Sequence, residues 1–221
     1  MKYKGIIFDF NGVLLWDGEW HYEAWQIASR QLRGTPFSDQ EYQNLIGRTN
    51  REILPYVFKR ELSEKEVDQG TEYKENIYRN LALSKGDELR LSPGAEQLLN
   101  LVVQNKIPHT IATSSERGNV DFFIKNLGLE RWFETRDIVF DDGTVPGKPA
   151  PDLYLRAADK LGLQPHECVV IEDSRSGIAS AKAAGAGKII AVGLKEKRTE
   201  LLKWGANEVV ENLGQLTMGD F

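Results

Sequence analysis

Residues 4–14, near the start of the chain, read Lys4-Gly5-Ile6-Ile7-Phe8-Asp9-Phe10-Asn11-Gly12-Val13-Leu14. A short apolar run that ends in polar residues and a glycine is typical of a strand buried on both faces of a parallel sheet. Asp9 lies where that strand ends, and open α/β sheets bind ligands just beyond the carboxyl ends of their strands. Asp9 is therefore a candidate nucleophile or metal ligand. An ordinary strand followed by a turn is the alternative, since Asp, Asn and Gly are the commonest turn formers.

Strand and helix signals alternate from Leu91 to the end of the chain. Segments of helical periodicity separate five further predicted strands, which cover His109–Ala112, Ile138–Phe140, Val169–Ile171, Lys188–Val192 and Glu208–Val210. Strands that alternate with helices are typical of a doubly wound parallel sheet, and right-handed crossovers place the strand ends on one edge. We therefore expect an α/β fold with a Rossmann-like core.

The segment between Trp16 and Ser84 contains no clear strand and has helical periodicity instead. The predicted helices cover Glu19–Arg33, Asp39–Ile46 with Gly47 behind it, a third segment capped by Thr49 or Asn50, and a longer fourth segment after the Ser63/Glu66 capping box. We expect residues 16–83 to form a helical cap inserted into a core of residues 1–15 and 84–221. The cap should close over the edge that carries Asp9.

The composition fits a soluble globular protein, with 221 residues of which 41% are hydrophobic and 28% charged. The net charge is -5 and no lysine or arginine cluster occurs, so a nucleic-acid partner is not expected. Cys168 is the sole cysteine, which fits a reducing compartment. The chain has no apolar stretch of about 18 residues that could span a bilayer, and Asp9 interrupts any signal-peptide core. We expect a cytoplasmic monomer with no membrane partner.

Polar residues occur at or just after several predicted strand ends, namely at Asp9, Thr113, Lys148 and the pair Glu172-Asp173. Because these ends converge in a parallel sheet, we expect the side chains to lie together. Carboxylates suit a hard cation such as Mg²⁺, while a lysine and a hydroxyl suit the oxygens of a phosphate. An aspartate beside that phosphate can attack it and form an acyl-phosphate.

Purely structural roles are the alternative for these residues. Asp173 can cap the helix that follows it, and Lys148 can be a solvated loop lysine. Thr113 and Ser114 can cap the next helix, a role that is compatible with phosphate binding.

The same residues resemble the haloacid dehalogenase superfamily of phosphotransferases. Its four motifs correspond to Asp9-Phe10-Asn11-Gly12-Val13, to Thr113 after an apolar strand, to Gly147-Lys148-Pro149-Ala150-Pro151-Asp152 and to Ile171-Glu172-Asp173-Ser174-Arg175-Ser176-Gly177-Ile178. Their order and spacing match, and the resemblance covers the whole chain. The helical insertion looks like the cap of that superfamily, and the run Glu19–Trp25 looks closest to its β-phosphoglucomutase-like branch.

The resemblance implies a role for each motif residue in catalysis and metal binding. Asp9 would be the nucleophile and a Mg²⁺ ligand. The main-chain carbonyl of Asn11 would be a second ligand and Asp173 a third. Glu172 would bind the metal directly or through water.

The resemblance also implies a phosphate-binding group. Thr113, the main chain near Ser114, and Lys148 would hold the phosphoryl group. Lys148 would in addition neutralise charge around Asp9.

Asn11 departs from the family pattern. Phosphatases and mutases of the superfamily usually carry a second aspartate there, which protonates the leaving oxygen and then activates water or a sugar hydroxyl. An asparagine can form hydrogen bonds but cannot usefully exchange a proton near pH 7. General acid–base help is typically worth about 10²–10⁴ in rate. Asn11 therefore predicts a slow enzyme, a long-lived aspartyl-phosphate or a different proton donor.

Three residues of the cap are candidates for contact with the substrate. His21 lies on the first cap helix, where similar mutases place a histidine that senses closure, and a partly exposed structural histidine is the alternative. Arg51 and Arg79 could reach a substrate phosphate, and surface salt bridges are the alternative.

We therefore expect a Mg²⁺-dependent phosphatase that acts on a small phosphomonoester, such as a sugar phosphate, through an aspartyl-phosphate on Asp9. A β-phosphoglucomutase is the alternative among enzymes, although Asn11 weakens it, because a mutase needs proton transfer in both half-reactions. Dehalogenation needs no metal, yet this chain retains the Glu172-Asp173 pair. Phosphonate hydrolysis would need a cap lysine as a Schiff base, and the sequence marks out no cap lysine by an apolar setting. A non-catalytic binder of phosphorylated metabolites is the alternative outside the enzymes.

Overall fold

The structure is a computed structural model that describes residues 2–45 and 48–221. The chain divides into two compact units. The core unit comprises Met1–Trp16 and Arg90–Phe221, and the helical unit comprises Asp17–Leu89.

The core unit contains a six-stranded sheet in which all pairings are parallel. Its strands are β1 (Gly5–Phe8), β2 (His109–Glu116), β3 (Val139–Asp141), β4 (Cys168–Glu172), β5 (Lys188–Val192) and β6 (Glu208–Val210). The spatial order is β3-β2-β1-β4-β5-β6, so the first strand of the chain lies in the middle. Ile7 of β1 pairs with Thr110 on one side and with Val170 on the other.

Nine α-helices occur in the described part of the chain. They are α1 (Gly18–Arg33), α2 (Asp39–Leu45), α3 (Asn50–Phe58), α4 (Glu64–Ser84), α5 (Ala95–Gln104), α6 (Arg117–Leu127), α7 (Asp152–Lys160), α8 (Arg175–Ala183) and α9 (Arg198–Trp204). The first four form the helical unit, and the others flank the sheet on both sides. The prediction of a doubly wound parallel sheet with an inserted helical cap is confirmed.

Alternate residues of β1 supply the two faces of the core, as expected for a strand with a period of two. Ile7 belongs to the same buried cluster as Leu153 of α7 and Ile178 of α8. Phe8 makes an edge-to-face contact with Phe133 at 6.1 Å between ring centroids. The apolar run is therefore covered on both sides, and Asp9 follows at the strand end.

The observed element bounds differ from the predicted ones at β2 and α8. Strand β2 continues past Ala112 to Glu116, which pairs with Asp141 across a register irregularity. The extension is polar and partly exposed, so it carries no apolar signal. Helix α8 begins at Arg175, three residues before the predicted start, because the Ser174 side chain caps it by accepting from the Gly177 N–H at 3.0 Å.

The helical unit has its own buried cluster, which includes Trp25, Leu54 and Val67. Capping boxes open α3 and α4, as the sequence predicts for α4 from Ser63 and Glu66. Helix α2 is described as far as Leu45. Its predicted end at Ile46 and Gly47 lies outside the described residues.

None of the helices in the described part of the chain is both long and apolar enough to cross a bilayer.

Candidate active site

The Lys148 ammonium joins the ends of two adjacent strands. It donates to Oδ1 of Asp9 at 2.6 Å and to Oε1 of Glu172 at 2.7 Å, and it also contacts the Ala112 carbonyl at 3.2 Å. Asp9 follows β1, and its N–H donates to the Ile171 carbonyl of β4 at 2.9 Å. The Lys148 side chain is only 6% exposed, so it is not a solvated loop lysine. Three motif residues thus meet at the carboxyl edge of the sheet.

Five donors hold the Glu172 carboxylate in place. Oε1 accepts from Lys148 and from the Tyr154 hydroxyl at 2.9 Å. Oε2 accepts from the Asp173 N–H at 2.8 Å, the Ser174 N–H at 2.9 Å and the Ser174 hydroxyl at 3.0 Å. Glu172 is fully buried, and charge-assisted hydrogen bonds of this kind offset the cost of burying a carboxylate.

Three carboxylates are close enough to share one cation. Asp9, Glu172 and Asp173 each offer an oxygen atom, and these atoms lie within 4.8 Å of one another. Gly12 has φ +83°, and a Cβ there would lie 2.1 Å from Oδ2 of Asp173. The first loop therefore approaches the fourth motif as closely as a glycine allows. An all-oxygen donor set suits Mg²⁺, so the residues present fit that ion.

Burial and nearby charges together determine the protonation of Asp9, Glu172 and Lys148. Burial raises the pKa of Asp9 to about 7, although the Lys148 ammonium acts to lower it. Burial also acts to raise the pKa of Glu172, but Lys148 and the N–H donors outweigh it and hold that pKa below its ordinary value. Burial favours a neutral Lys148, yet the two carboxylates raise its pKa above the usual range. Lys148 is therefore a cation in this site and not a base.

The polar end of β2 contacts the first motif. Thr113 is buried, and its hydroxyl oxygen accepts from the Ser115 N–H at 3.0 Å. The Ser115 hydroxyl donates to Oδ1 of Asn11 at 2.8 Å. Ser114 is exposed. The residue at the N-cap of the following helix α6 is Glu116, so Thr113 and Ser114 do not occupy that position.

Three residues beside the strand ends, Tyr154, Ser115 and Ser174, were not predicted from the sequence. Tyr154 is fully buried on α7, with its ring 4.8 Å from the Lys148 ammonium, and its helical spacing gives no sign of a polar role. Ser115 adjoins the predicted Thr113-Ser114 pair, and that proximity was an available signal. Ser174, and not Asp173, occupies the N-cap position of α8.

His21 belongs to a buried polar cluster within the helical unit. Its ring stacks on Tyr78 with 4.0 Å between centroids, Nδ1 lies 2.8 Å from the Lys74 ammonium, and Nε2 lies 3.3 Å from the Asp17 carboxylate. Lys74 is buried and pairs with Glu75 at 2.8 Å. The sequence marks out no cap lysine by an apolar setting, yet Lys74 is buried. No local signal reveals this burial, because it depends on neighbours from other turns and helices, among them His21 and Trp25.

The two cap arginines both form ion pairs within the helical unit. Arg51 contacts Glu64 at 2.7 Å and Asp68 at 3.6 Å. Arg79 contacts Glu72 at 2.5 Å. These are the salt bridges that the sequence analysis gave as the alternative role.

Comparison with known proteins identifies the family. The family model of the haloacid dehalogenase-like hydrolases matches residues 3–185. The chain belongs to this family. The resemblance to this family, which the sequence analysis drew from four motifs, is therefore confirmed.

Individual relatives of this haloacid dehalogenase-like hydrolase include phosphatases and mutases. The phosphorylated carbohydrates phosphatase of Thermotoga maritima is 29% identical over 190 residues, covering 86% of this chain and 85% of that protein. The β-phosphoglucomutase of Bacillus subtilis is 30% identical over 220 residues, covering 97% and 92%. The crystal structure of a family IA, variant 3 HAD hydrolase from Entamoeba histolytica has a TM-score of 0.91 at 40% identity, covering 98% and 96%.

Proposed function

We propose that this hydrolase is a Mg²⁺-dependent phosphatase that acts on a small phosphomonoester, such as a sugar phosphate, through an aspartyl-phosphate on Asp9. The contact of the Lys148 ammonium with Asp9 and Glu172 carries the proposal. This contact places the buried Asp9 carboxylate, as the nucleophile, 2.6 Å from the positive charge of Lys148. Phosphoryl transfer depends chiefly on such positioning and charge stabilisation.

Each residue at the strand ends has a separate role in the proposed reaction. A carboxylate oxygen of Asp9 attacks the phosphorus atom, and the leaving oxygen departs. Lys148, Thr113 and the main chain near Ser114 hold the phosphoryl oxygens. Glu172 positions Lys148 through the 2.7 Å hydrogen bond. Water then displaces Asp9 and releases inorganic phosphate.

The metal would be held by Asp9, Asp173 and the main-chain carbonyl of Asn11. Because five protein donors already engage Glu172, we infer that Glu172 acts through water and not as a direct ligand. A bound Mg²⁺ supplies charge neutralisation for the phosphate oxygens.

Phosphate release from a panel of sugar phosphates tests this proposal. The wild-type chain should release phosphate with Mg²⁺ and should stop when a chelator removes the metal. Asp9→Asn should abolish release, because the nucleophile is gone. Asp142→Asn changes an exposed carboxylate in the same way and should leave release unchanged. Release by Asp9→Asn at the wild-type rate would overturn the proposed mechanism.

A β-phosphoglucomutase is the second candidate, and the Bacillus subtilis relative favours it because the match covers 97% of this chain. Asn11 argues against a mutase, because a mutase transfers protons in both half-reactions and an asparagine cannot usefully exchange a proton near pH 7. Conversion of one sugar phosphate into its positional isomer, without release of inorganic phosphate, would establish the mutase. Tight binding of sugar phosphates without any turnover would instead support a non-catalytic binder.

The proposal extends to the binding partner of the enzyme and to its cellular compartment. A small phosphorylated metabolite is the expected partner. The cytoplasmic monomer remains a prediction, which sedimentation analysis and fractionation of cells that contain the protein would check.

A further inference from the structure

We propose that Ser180 of helix α8 is a positioning residue for Lys148, because its hydroxyl group fixes the turn from which the Lys148 side chain extends. The inference rests on the proposed function, in which Lys148 holds the phosphoryl group. Ser180 lies two residues beyond Ile178, the last residue of the fourth motif. A residue outside the motifs would thus contribute to the reaction without touching the substrate.

Ser180 is a fully buried serine inside a helix. Such a serine usually points its hydroxyl to solvent or back to a main-chain carbonyl one turn earlier. The Ser180 hydroxyl instead donates to the Ala150 carbonyl at 2.5 Å, across 30 residues of sequence. The neighbouring Ile178 and Ala181 belong to a buried cluster of the core unit, so the donor lies on a firmly packed helix.

Ala150 closes the turn that contains Lys148. Its N–H donates to the Gly147 carbonyl at 3.0 Å, which is the hydrogen bond that closes a β-turn of four residues. Lys148 is the second residue of that turn. Ala150 therefore gives its N–H to the turn and its carbonyl to Ser180, and this anchors the main chain of the turn to α8.

One face of α8 supports both ends of the Lys148 side chain. Ser174, Gly177 and Ser180 follow one another at intervals of three residues, so they lie on the same face. The Ser174 hydroxyl donates to the Glu172 carboxylate at 3.0 Å, and Gly177 has no side chain to displace that carboxylate. Glu172 in turn accepts from the Lys148 ammonium at 2.7 Å. The same face thus holds the tip of Lys148 through Glu172 and its main chain through Ser180.

The flexibility of lysine makes the main-chain contact important. A lysine side chain is a flexible stem of four carbon atoms, so its ammonium can reach Asp9 and Glu172 from more than one position of the turn. The direction from which the charge meets a phosphoryl group changes with that position. A displacement of about 1 Å in a catalytic group can cost about 100-fold in rate. Loss of the Ser180 hydroxyl should therefore slow the reaction while the site still assembles.

Steady-state phosphate release by matched variants tests the inference. Ser180→Ala removes only the hydroxyl group. Thr110→Val removes another buried hydroxyl, which donates to the Asp137 carbonyl at 2.7 Å and lies about 10 Å before Thr113 along β2. Both substitutions should lower the urea midpoint by similar amounts, since each removes one buried hydrogen bond.

The two variants should differ in their kinetics. At temperatures well below both unfolding transitions, Ser180→Ala should lower kcat by about 10- to 100-fold and change KM by less than about 3-fold. The loss falls on kcat because a positioned charge acts most strongly where charge develops in the transition state. Thr110→Val should keep kcat within about 2-fold of the wild-type value, because it leaves the turn and α8 unchanged.

The ¹⁵N spectrum of the lysine ammonium groups gives a second measurement, which needs no turnover. Lys148→Arg identifies the Lys148 signal by its disappearance. Ser180→Ala should shift or broaden that signal, and Thr110→Val should leave it unchanged. A wild-type kcat together with a wild-type Lys148 signal in Ser180→Ala would overturn the inference and leave the proposed phosphatase standing. Absence of phosphate release from every substrate by the wild-type chain would overturn the proposed function, and the Lys148 signal would still show whether Ser180 positions this lysine.

Discussion

Lys148 supplies one positive charge to a site with three carboxylates, on Asp9, Glu172 and Asp173. The protein alone therefore leaves this buried edge with an excess of negative charge. Buried ions need compensation, because the low local dielectric strengthens repulsion as well as attraction. Burial is the main cause of the raised pKa of Asp9, and the charge of Glu172 raises that pKa further. A divalent cation would remove the excess of negative charge, which gives a physical reason for the proposed metal.

Removing the Asp9 carboxyl group should change how stability depends on pH in the metal-free protein. A pKa raised from about 4 to about 7 means that the folded state holds the proton more tightly. The stabilisation is complete below pH 4 and is lost as pH rises through 7. The unfolding free energy of wild type should therefore fall relative to Asp9→Asn over this range, by up to about 4 kcal/mol.

Urea unfolding in the presence of a chelator, repeated from pH 4 to pH 8, measures that difference. Asp121→Asn, on the exposed side of α6, is the matched control and should show no comparable trend. A constant difference between wild type and Asp9→Asn at every pH would contradict the expectation.

The Tyr154 hydroxyl should stabilise the site through Glu172. Tyr154→Phe removes one of the five hydrogen bonds to this buried carboxylate and should cost about 1.5–3 kcal/mol, the value for hydrogen bonds to charged groups. Tyr73→Phe removes an exposed hydroxyl that donates to Gln31 and should cost less than about 0.5 kcal/mol. Chemical denaturation of both variants tests this, and equal losses would show that Tyr154 has no special role.

At the scale of elements, helix α8 approaches the end of β4 at Gly177. A Cβ at that position would lie 1.5 Å from Oε1 of Glu172. The carboxylate cannot move aside without breaking hydrogen bonds to its five donors, Lys148 among them. The helix and the strand therefore depend on the absence of a side chain at this position.

Gly177→Ala should displace Glu172 and cost about 3–5 kcal/mol, the range for disrupting a buried ion pair. The rate of phosphate release should also fall, because Lys148 loses its hydrogen bond to Glu172. Gly18→Ala is the control, because a Cβ there meets no atom within 4 Å. Thermal unfolding and phosphate release of the two variants give the comparison. A Gly177→Ala protein as stable as the control would refute the close approach.

The sequence predicted the elements that carry a strong local signal. The apolar runs of β1 and β4 and the capping box of α4 fall where their patterns place them. The polar extension of β2 could not be predicted, because its hydrogen bonds come from β3 and not from its own residues. Tyr154 lies on a helix whose buried face is otherwise apolar, and Lys74 lies on a helix that also buries Thr71 and Glu75. Only the fold brings Glu172 to Tyr154 and His21 to Lys74.

At the scale of the whole molecule, Mg²⁺ binding should be coupled to unfolding of the chain. A ligand that binds only the folded state at 100 times its Kd adds about 2.7 kcal/mol to stability. Thermal unfolding with Mg²⁺ and with a chelator should show this gain in wild type. Asp173→Asn should lose it, since one of three clustered carboxylates is neutralised. An equal gain in both proteins would place the ion elsewhere.

The central position of β1 has a consequence for how the chain folds. This strand is made first, yet Ile6 pairs with His109 and Gly5 with Cys168. The sheet cannot be completed until most of the chain has left the ribosome. Residues 17–89 instead make their contacts within one continuous segment, and local contacts form faster than distant ones. We expect pulsed hydrogen exchange during refolding to show protection of α1 and α4 before protection of β1.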